Sequence, residues 1–284
     1  MGPFCAGAAL SISILILTLN EAVNIGACLD SVSWCDDVVV LDSGSSDGTD
    51  ILAAKRGARV LSRPFDDYAS QRNFGLSTVD YRHDWVLMLD ADERVPADLA
   101  LEMRQAVAVA ADDVALFQVR RRDWLLGRWI RHSSGYPTWF GRLGRRGRVS
   151  VERPINEEYR AAGRVLRLFG HLDHYPFNKG FSAWIARHDR YSSMEAELLE
   201  RKLATQWKWR ELLGDVSARR RAAKALMYRL PARPVAVFFA LYLFKGGIFD
   251  GHAGLTYSLL RAWYEYMIDC KCVELRRRTR GLPV

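Results

Sequence analysis

The first 54 residues contain no lysine or arginine. The first basic side chain is Lys55, and before it stand seven acids: Glu21, Asp30, Asp36, Asp37, Asp42, Asp47 and Asp50. Nor does any apolar run reach the roughly 20 residues a membrane-spanning helix needs. Ala8–Leu19, Val235–Phe244 and Leu255–Ile268 all fall short. Ala8–Leu19 also lacks the positive stretch that precedes the apolar core of a secretory signal, so it reads as a buried strand. The five cysteines (Cys5, Cys28, Cys35, Cys270, Cys272) are odd in number and include no Cys-x-x-Cys pair. They give neither a disulfide framework nor a zinc spacing, which fits a reducing cytoplasm. The GxxxxGK[ST] phosphate loop and the GxGxxG dinucleotide fingerprint are missing as well. So is any helix-turn-helix, RNA-recognition or zinc-finger pattern, and nucleic acid is therefore not an expected partner.

What is present is a chain of 284 residues, 26% charged and 49% hydrophobic, with 41 Lys+Arg against 33 Asp+Glu. That balance is too apolar for disorder and too charged for a polytopic membrane protein. The net charge of +8 is unevenly spread: residues 1–54 carry −7 and residues 201–284 carry +11. An acidic front joined to a basic tail points to an anionic polymer or membrane surface at one end.

Along the first 110 residues, apolar strands alternate with helical spacing. Ser11–Leu17, Asp37–Leu41, Arg59–Leu61 and Trp85–Leu89 read as strands. Asn24–Ser33, Gly48–Gly57, Tyr68–Ser77 and Pro96–Ala110 read as helices. This alternation implies βαβ units, an α/β fold and a mostly parallel sheet flanked by helices. Ala115–Arg120 is a further strand, leading into a basic, aromatic and Gly-containing stretch over 120–150, and Ser182–Arg210 is helical. The expected division is a domain over residues 1–180 and a helical, basic and aromatic region over 181–284.

Three polar clusters follow the first, second and fourth strands: Thr18-Leu19-Asn20-Glu21, Asp42-Ser43-Gly44-Ser45-Ser46-Asp47-Gly48-Thr49 and Asp90-Ala91-Asp92-Glu93. Ligands of open α/β sheets sit beyond the carboxyl ends of the strands, where these clusters fall. Two carboxylates at a buried strand end repel one another unless a cation joins them, so Asp90 and Asp92 point to a divalent ion. Such a cleft admits an anionic diphosphate only together with that ion. Simpler roles compete: Asp42 and Asp47 suit helix caps, and Asp92 and Glu93 precede Pro96 and suit the first turn of the next helix.

The series TLNE, DSGSSDGT, Gln71-Arg72-Asn73 and WVLMLDADE resembles the inverting family 2 glycosyltransferases of the GT-A fold. Ile155-Asn156-Glu157-Glu158, His171-Leu172-Asp173-His174-Tyr175 and the segment from Tyr242 to Gly251 are similar to a subgroup that includes lipopolysaccharide-core β-1,4-glucosyltransferases. The resemblance implies a Rossmann-like catalytic domain with a helical C-terminal extension. It implies a nucleotide-sugar donor (a UDP-sugar favoured), a glycan or glycolipid acceptor of the cell envelope, and Mg²⁺ or Mn²⁺. It assigns Thr18, Asn20, Glu21 and Asp42 to the base and ribose. Gln71, Arg72 and Asn73 go to a donor-site helix, Asp90 to ribose and metal, and Asp92 to the metal. Glu157 becomes the general base, with Glu158 adjacent as the alternative, and Asn156 replaces the His of the subgroup's His-Glu pair. His174 matches a late metal-binding histidine, with His171 as the alternative.

The basic tail, in which Arg229, Arg233, Lys245, Arg261, Lys271 and Arg276–Arg278 surround the apolar runs, reads as a contact with an anionic membrane surface. This places the protein on the inner face of the cytoplasmic membrane. Trp124, Trp129, Tyr136 and Trp139 suit either stacking on acceptor sugars or a core. A chain of the same fold that binds the donor without catalysis is the competing reading.

Overall fold

The computed structural model describes residues 12–152, 158–203 and 232–284. Asn156, Glu157, Arg229 and residues 204–210 of the expected long helix lie outside them. The described residues divide into two compact units. The first comprises the chain up to Trp124 together with Tyr136–Asn178, and the second comprises Leu125–Gly135 and Lys179–Val284.

In the first unit the chain runs β1 (Ile12–Thr18), α1 (Ala22–Ser31), β2 (Val38–Asp42), α2 (Thr49–Lys55), β3 (Arg59–Ser62), α3 (Tyr68–Thr78), β4 (Trp85–Asp90), β5 (Glu93–Arg94) and α4 (Ala97–Ala108). The strands and helices expected over this half are all present, with ends shifted by at most two residues. Glu93 departs from the first-turn reading and lies in β5. The sequence ISILILT offers water no polar face, and β1 is accordingly buried on both sides, in parallel with β2 and β4. Its register sets Thr18 beside Asp42 and Leu17 beside Asp90, which brings the three polar clusters to one edge of the sheet.

The second half of the unit holds β6 (Val114–Leu125), β8 (Trp139–Arg145), β9 (Val149–Glu152), β10 (Glu158–Ala161) and β11 (Arg164–His174); the two-residue strand β7 (Arg128–Trp129) lies between β6 and β8 in sequence. The expected strand Ala115–Arg120 thus extends five residues further. The main sheet runs β3-β2-β1-β4-β8-β6-β11-β5, mostly parallel, while β9 and β10 form a separate hairpin. β11 follows β6 in parallel but bulges between Arg167 and His171. The two amides left over there, of Phe169 and Gly170, donate to the Glu102 carboxylate at 2.6 and 2.8 Å. α4 thereby fixes the bulge that aims the last turn of β11.

The second unit comprises α5 (Gly180–Leu203), α6 (Arg233–Phe239), a π-turn (Ala240–Phe244), a 3₁₀ turn (Gly247–Asp250) and α7 (Gly251–Thr279). Ala196, Tyr264, Ile268 and Cys272 form the core between α5 and α7. The buried Asp250 carboxylate accepts from the amides of His132 and Ser133 and from the Ser133 hydroxyl, tying Leu125–Gly135 to the 3₁₀ turn. Among the described residues no single helix is long and apolar enough to cross a membrane. Arg233–Phe244 and Gly247–Thr279 meet that test only as a pair, bent by 72°.

The helix α3 lies against β1 because Gly75 has no side chain. A Cβ there would stand 2.5 Å from Cδ2 of Leu15, which is fully buried and has no room to turn away. Gly75→Val is therefore expected to lower stability by about 1–3 kcal/mol, the usual cost of overpacking a filled core. Denaturant unfolding checks this, and a variant as stable as the parent would show that α3 is free to shift.

Candidate functional site

The first two polar clusters are laced into one rim. Thr18 donates its hydroxyl to Asp42 at 2.7 Å. The Asp42 carboxylate also accepts from the Ser45 hydroxyl and from the amides of Gly44 and Ser45, so its four acceptor positions are filled. Asn20 adopts a left-handed backbone (φ 54°), and its side-chain oxygen accepts from the Ser46 amide at 2.8 Å. That conformation costs Asn less than most residues. The backbone amides of Glu21 and Ala22 donate to Thr49 and Asp47. Asp47, which also accepts from the Thr49 amide, joins the starts of α1 and α2. Asn20 is left exposed and Glu21 partly exposed, while Asp42 is buried behind them.

α3 supplies the next three residues. Gln71 is buried and donates to the Ser43 hydroxyl and to the Arg63 carbonyl, holding the second loop from below. Asn73 pairs with the backbone of Val151 in both directions, each bond 2.8 Å, and so fastens β9. Arg72 is buried and donates to Asp90 Oδ1 at 2.5 Å.

Asp90 has a second cation. Arg142, also buried, donates from Nη2 to Asp90 Oδ2 at 2.9 Å and to Glu93 Oε1 at 2.7 Å. Crowding by protein raises the pKa of Asp90, but the charges of Arg72 and Arg142, with His174 beyond, outweigh it and hold the carboxyl far below the ordinary range. Both carboxylate oxygens are thus engaged by guanidiniums, although 35% of the side chain stays exposed.

Asp92 stands with His174: Oδ2 and Nε2 are 3.4 Å apart, on side chains that are both largely buried. The other ring nitrogen of His174 lies 2.6 Å from Asp123, which in turn accepts from Arg121 Nε. A carboxylate that grips Nδ1 fixes the ring and leaves Nε2 facing Asp92, the arrangement found around metal-binding histidines. One carboxylate and one imidazole at this spacing are a donor pair that a divalent ion such as Mg²⁺ or Mn²⁺ accepts. Among the described residues no three His, Cys, Asp or Glu side chains are placed to hold one metal ion together. The remaining positions around such an ion would fall to ligand or water. His171 stands elsewhere, its Nε2 2.6 Å from the Tyr136 hydroxyl. Glu158 opens β10 and is exposed.

Arg142, Arg121, Asp123 and Glu102 were not singled out by the sequence reading. For Arg121 and Asp123 the signal is the alternation of a strand longer than expected: along β6 they share one face while Arg120 and Arg122 share the other.

Residues 13–173 match glycosyl transferase family 2. The chain belongs to that family. Over 275 residues this glycosyltransferase is 27% identical to the lipopolysaccharide core biosynthesis glycosyltransferase LpsC of Rhizobium meliloti (strain 1021), covering 93% of each chain. It is 37% identical over 103 residues to an uncharacterized glycosyltransferase of Rickettsia bellii, which is 36% of this chain and 34% of that one. Among solved structures, glucosyl-3-phosphoglycerate synthase from Mycobacterium tuberculosis, in complex with Mn²⁺, UDP and glucosyl-3-phosphoglycerate, is 28% identical with a TM-score of 0.35. That match covers 40% of this chain and 45% of the synthase. The chain therefore spans about a third of the Rickettsia relative and less than half of the synthase.

Burial and Arg121 both disfavour the His174 imidazolium, but the charge of Asp92 and the hydrogen bonds to Asp123 and Asp92 prevail and raise its pKa from 6.5 to about 9. A folded-state value above the unfolded one gives stability that is complete below pH 6.5 and is lost as pH rises through about 9. Without metal, the midpoint of thermal unfolding should fall across that window, and His174→Gln should remove this part of the slope. An identical slope in the variant would show that His174 is not the titrating group.

Proposed function

We propose that this glycosyltransferase moves a sugar, with inversion, from a nucleoside-diphosphate donor to a hydroxyl of a lipid-linked or lipopolysaccharide-type cell-envelope glycan, and that it uses Mg²⁺ or Mn²⁺. The observation that carries this reading is the Asp92–His174 pair, held by Asp123 at the carboxyl edge of a parallel sheet beside Asp90. A UDP-sugar is the favoured donor, and a divalent ion on the pair supplies charge neutralisation for the departing diphosphate. The laced rim of Thr18, Asn20, Glu21 and Asp42 forms the wall for base and ribose, with Asn20 and Glu21 at its surface. Gln71 and Asn73 act by holding that wall and β9 in place. Arg72 and Arg142 keep Asp90 ionised and fixed in direction, toward the ribose. Glu157, with Glu158 as the neighbouring candidate, takes the proton of the acceptor hydroxyl as it attacks the anomeric carbon; a positioned base is worth about 10²–10⁴-fold. Similarity to LpsC over nearly the whole chain supports a cell-envelope acceptor.

The test is a panel of nucleotide sugars with and without Mn²⁺, read by thermal shift and by nucleotide release. Asp92→Ala is expected to abolish metal-dependent release. Glu157→Gln is expected to abolish transfer and keep donor binding. A Glu157→Gln enzyme with full transfer would move the base to another residue.

A lipid-linked acceptor also calls for a membrane contact, and the second unit offers one on the inner face of the cytoplasmic membrane. At the bend after the π-turn, Phe244 and Phe249 are 87% and 71% exposed. Exposed Lys245, Arg128 and Arg131 belong to the same unit, and the one acid in the segments 125–135 and 233–256, Asp250, is buried. Apolar side chains among cations suit shallow insertion into an anionic bilayer. Co-flotation with phosphatidylglycerol vesicles at low salt is expected, and Phe244→Asp with Phe249→Asp should abolish it. Absence of flotation by the parent chain would remove the membrane from this reading.

A further inference from the structure

The face of the sheet opposite the Asp123–His174 pair carries a set of side chains that donor binding does not use. Strand register places Trp139 of β8, Arg120 of β6 and His171 of β11 in one row, with Gly141, Gln118 and Arg167 in the next. Residues paired directly across strands project from the same face. Two guanidiniums lie over Trp139: the Arg120 Cζ is 5.3 Å from the ring centroid and the Arg167 Cζ is 4.9 Å from it. Tyr136 adds a second ring, 6.0 Å from the Arg120 guanidinium and hydrogen-bonded to His171.

Charge is what makes this row unusual. Neither Arg120 nor Arg167 forms an ion pair among the described residues, and the buried Nε of Arg120 has no hydrogen-bond partner. Asp173, which shares this face, accepts from Arg122 Nε at 2.7 Å and from Trp124 Nε1 at 2.9 Å. Attraction to the indole ring offsets only part of the mutual repulsion of two cations. They lie within about 10 Å of each other, one Debye length at 0.1 M salt, so screening does not separate them. An oxyanion between them would remove that repulsion and satisfy guanidinium donors in the bidentate way that carboxylates and phosphates allow.

The row also lies beside the hairpin of β9 and β10, which carries Glu158, the alternative base. A Cβ on Gly141 would stand 2.9 Å from the Tyr159 ring, so β10, which begins at Glu158, packs over this same face. The geometry points to an acceptor subsite for an acidic sugar: Trp139 and Tyr136 take the ring face, and Arg120 and Arg167 take a carboxylate or phosphate on that sugar. This rests on the transferase reading given above and names the chemistry of its acceptor.

Calorimetric titration at low salt, without donor or metal, tests the subsite separately from nucleotide binding. The probes are glucose 6-phosphate, glucuronate, glucose and inorganic phosphate. Acidic sugars are expected to bind at least tenfold more tightly than glucose. Arg120→Gln with Arg167→Gln should remove that preference, Arg120→Lys should keep most of it, and Lys55→Gln, which deletes a remote exposed charge, should leave it intact. Equal binding of acidic and neutral sugars overturns the proposal, as does a preference that survives in the double Gln variant. Inorganic phosphate binding as tightly as the sugar phosphate overturns the assignment to a saccharide. Should the donor panel show no nucleotide binding while acidic sugars still bind here, the transferase reading fails and the subsite stands.

Discussion

A carboxylate at the end of a buried parallel strand has to be neutralised, and the site is organised by how Asp90 meets that demand. Its two oxygens take guanidiniums from two different elements, Arg72 of α3 and Arg142 of β8, and Arg142 reaches on to Glu93. Both arginines are buried, so each relies on the carboxylates beside it to offset its charge. The network therefore welds the first half of the sheet, β1–β4 with α3, to the half that begins with β8. It also separates the two acids of the Asp-x-Asp sequence. Asp90 is committed to arginines, while Asp92 is turned to His174.

The same partition recurs along β6. Arg121 and Asp123 face Glu93 and His174, while Arg120 and Arg122 face the opposite side with Trp139 and Asp173. One twelve-residue strand thus supplies the support of the Asp92–His174 pair on one side and the cationic, aromatic row on the other. Its neighbour β11 does so only because of its bulge. The extra residues between Arg167 and His171 alter the register by which Leu172 returns to the core and His174 meets Asp123, and Glu102 holds them in place. A carboxylate on α4, remote from His174 in sequence, is in this way a determinant of where that imidazole points.

How much of this was readable beforehand follows from the range of the interactions involved. The first half of the fold was legible because a βα repeat advertises itself locally, through apolar runs, turn residues and spacing. The Asp-x-Asp after WVLML was legible because acids directly after a buried strand are physically conspicuous. Asp42, Gln71 and Asn73 stood out through the family resemblance, but not as the residues that lace loops and fasten β9, since hydrogen-bond partners up to 78 residues away leave no periodic trace. Arg142 and Asp123 were missed for a related reason. In a stretch as basic as 120–150, an arginine destined for burial reads like one destined for solvent until strand pairing sets it beside Asp90.

The acidic front of the chain sharpens the chemistry as well. With no basic residue before Lys55, strand-end acids there have two remedies, and the fold uses both. Asp42 is satisfied by four hydrogen bonds from loop amides and hydroxyls, a remedy that adds no charge and shapes a wall. Asp90, which lies past Lys55, takes guanidiniums from Arg72 and Arg142. Around it, four carboxylates (Asp90, Asp92, Glu93, Asp123) meet three guanidiniums (Arg72, Arg121, Arg142), and a protonated His174 brings the set to neutrality. On the proposed reading, His174 must surrender that proton to ligate a divalent ion, as metal-binding imidazoles do. The exchange of one positive charge for two leaves the centre positive by one. A cleft whose own charges cancel thereby becomes attractive to a diphosphate only when the ion is present, which couples donor binding to metal binding through charge alone.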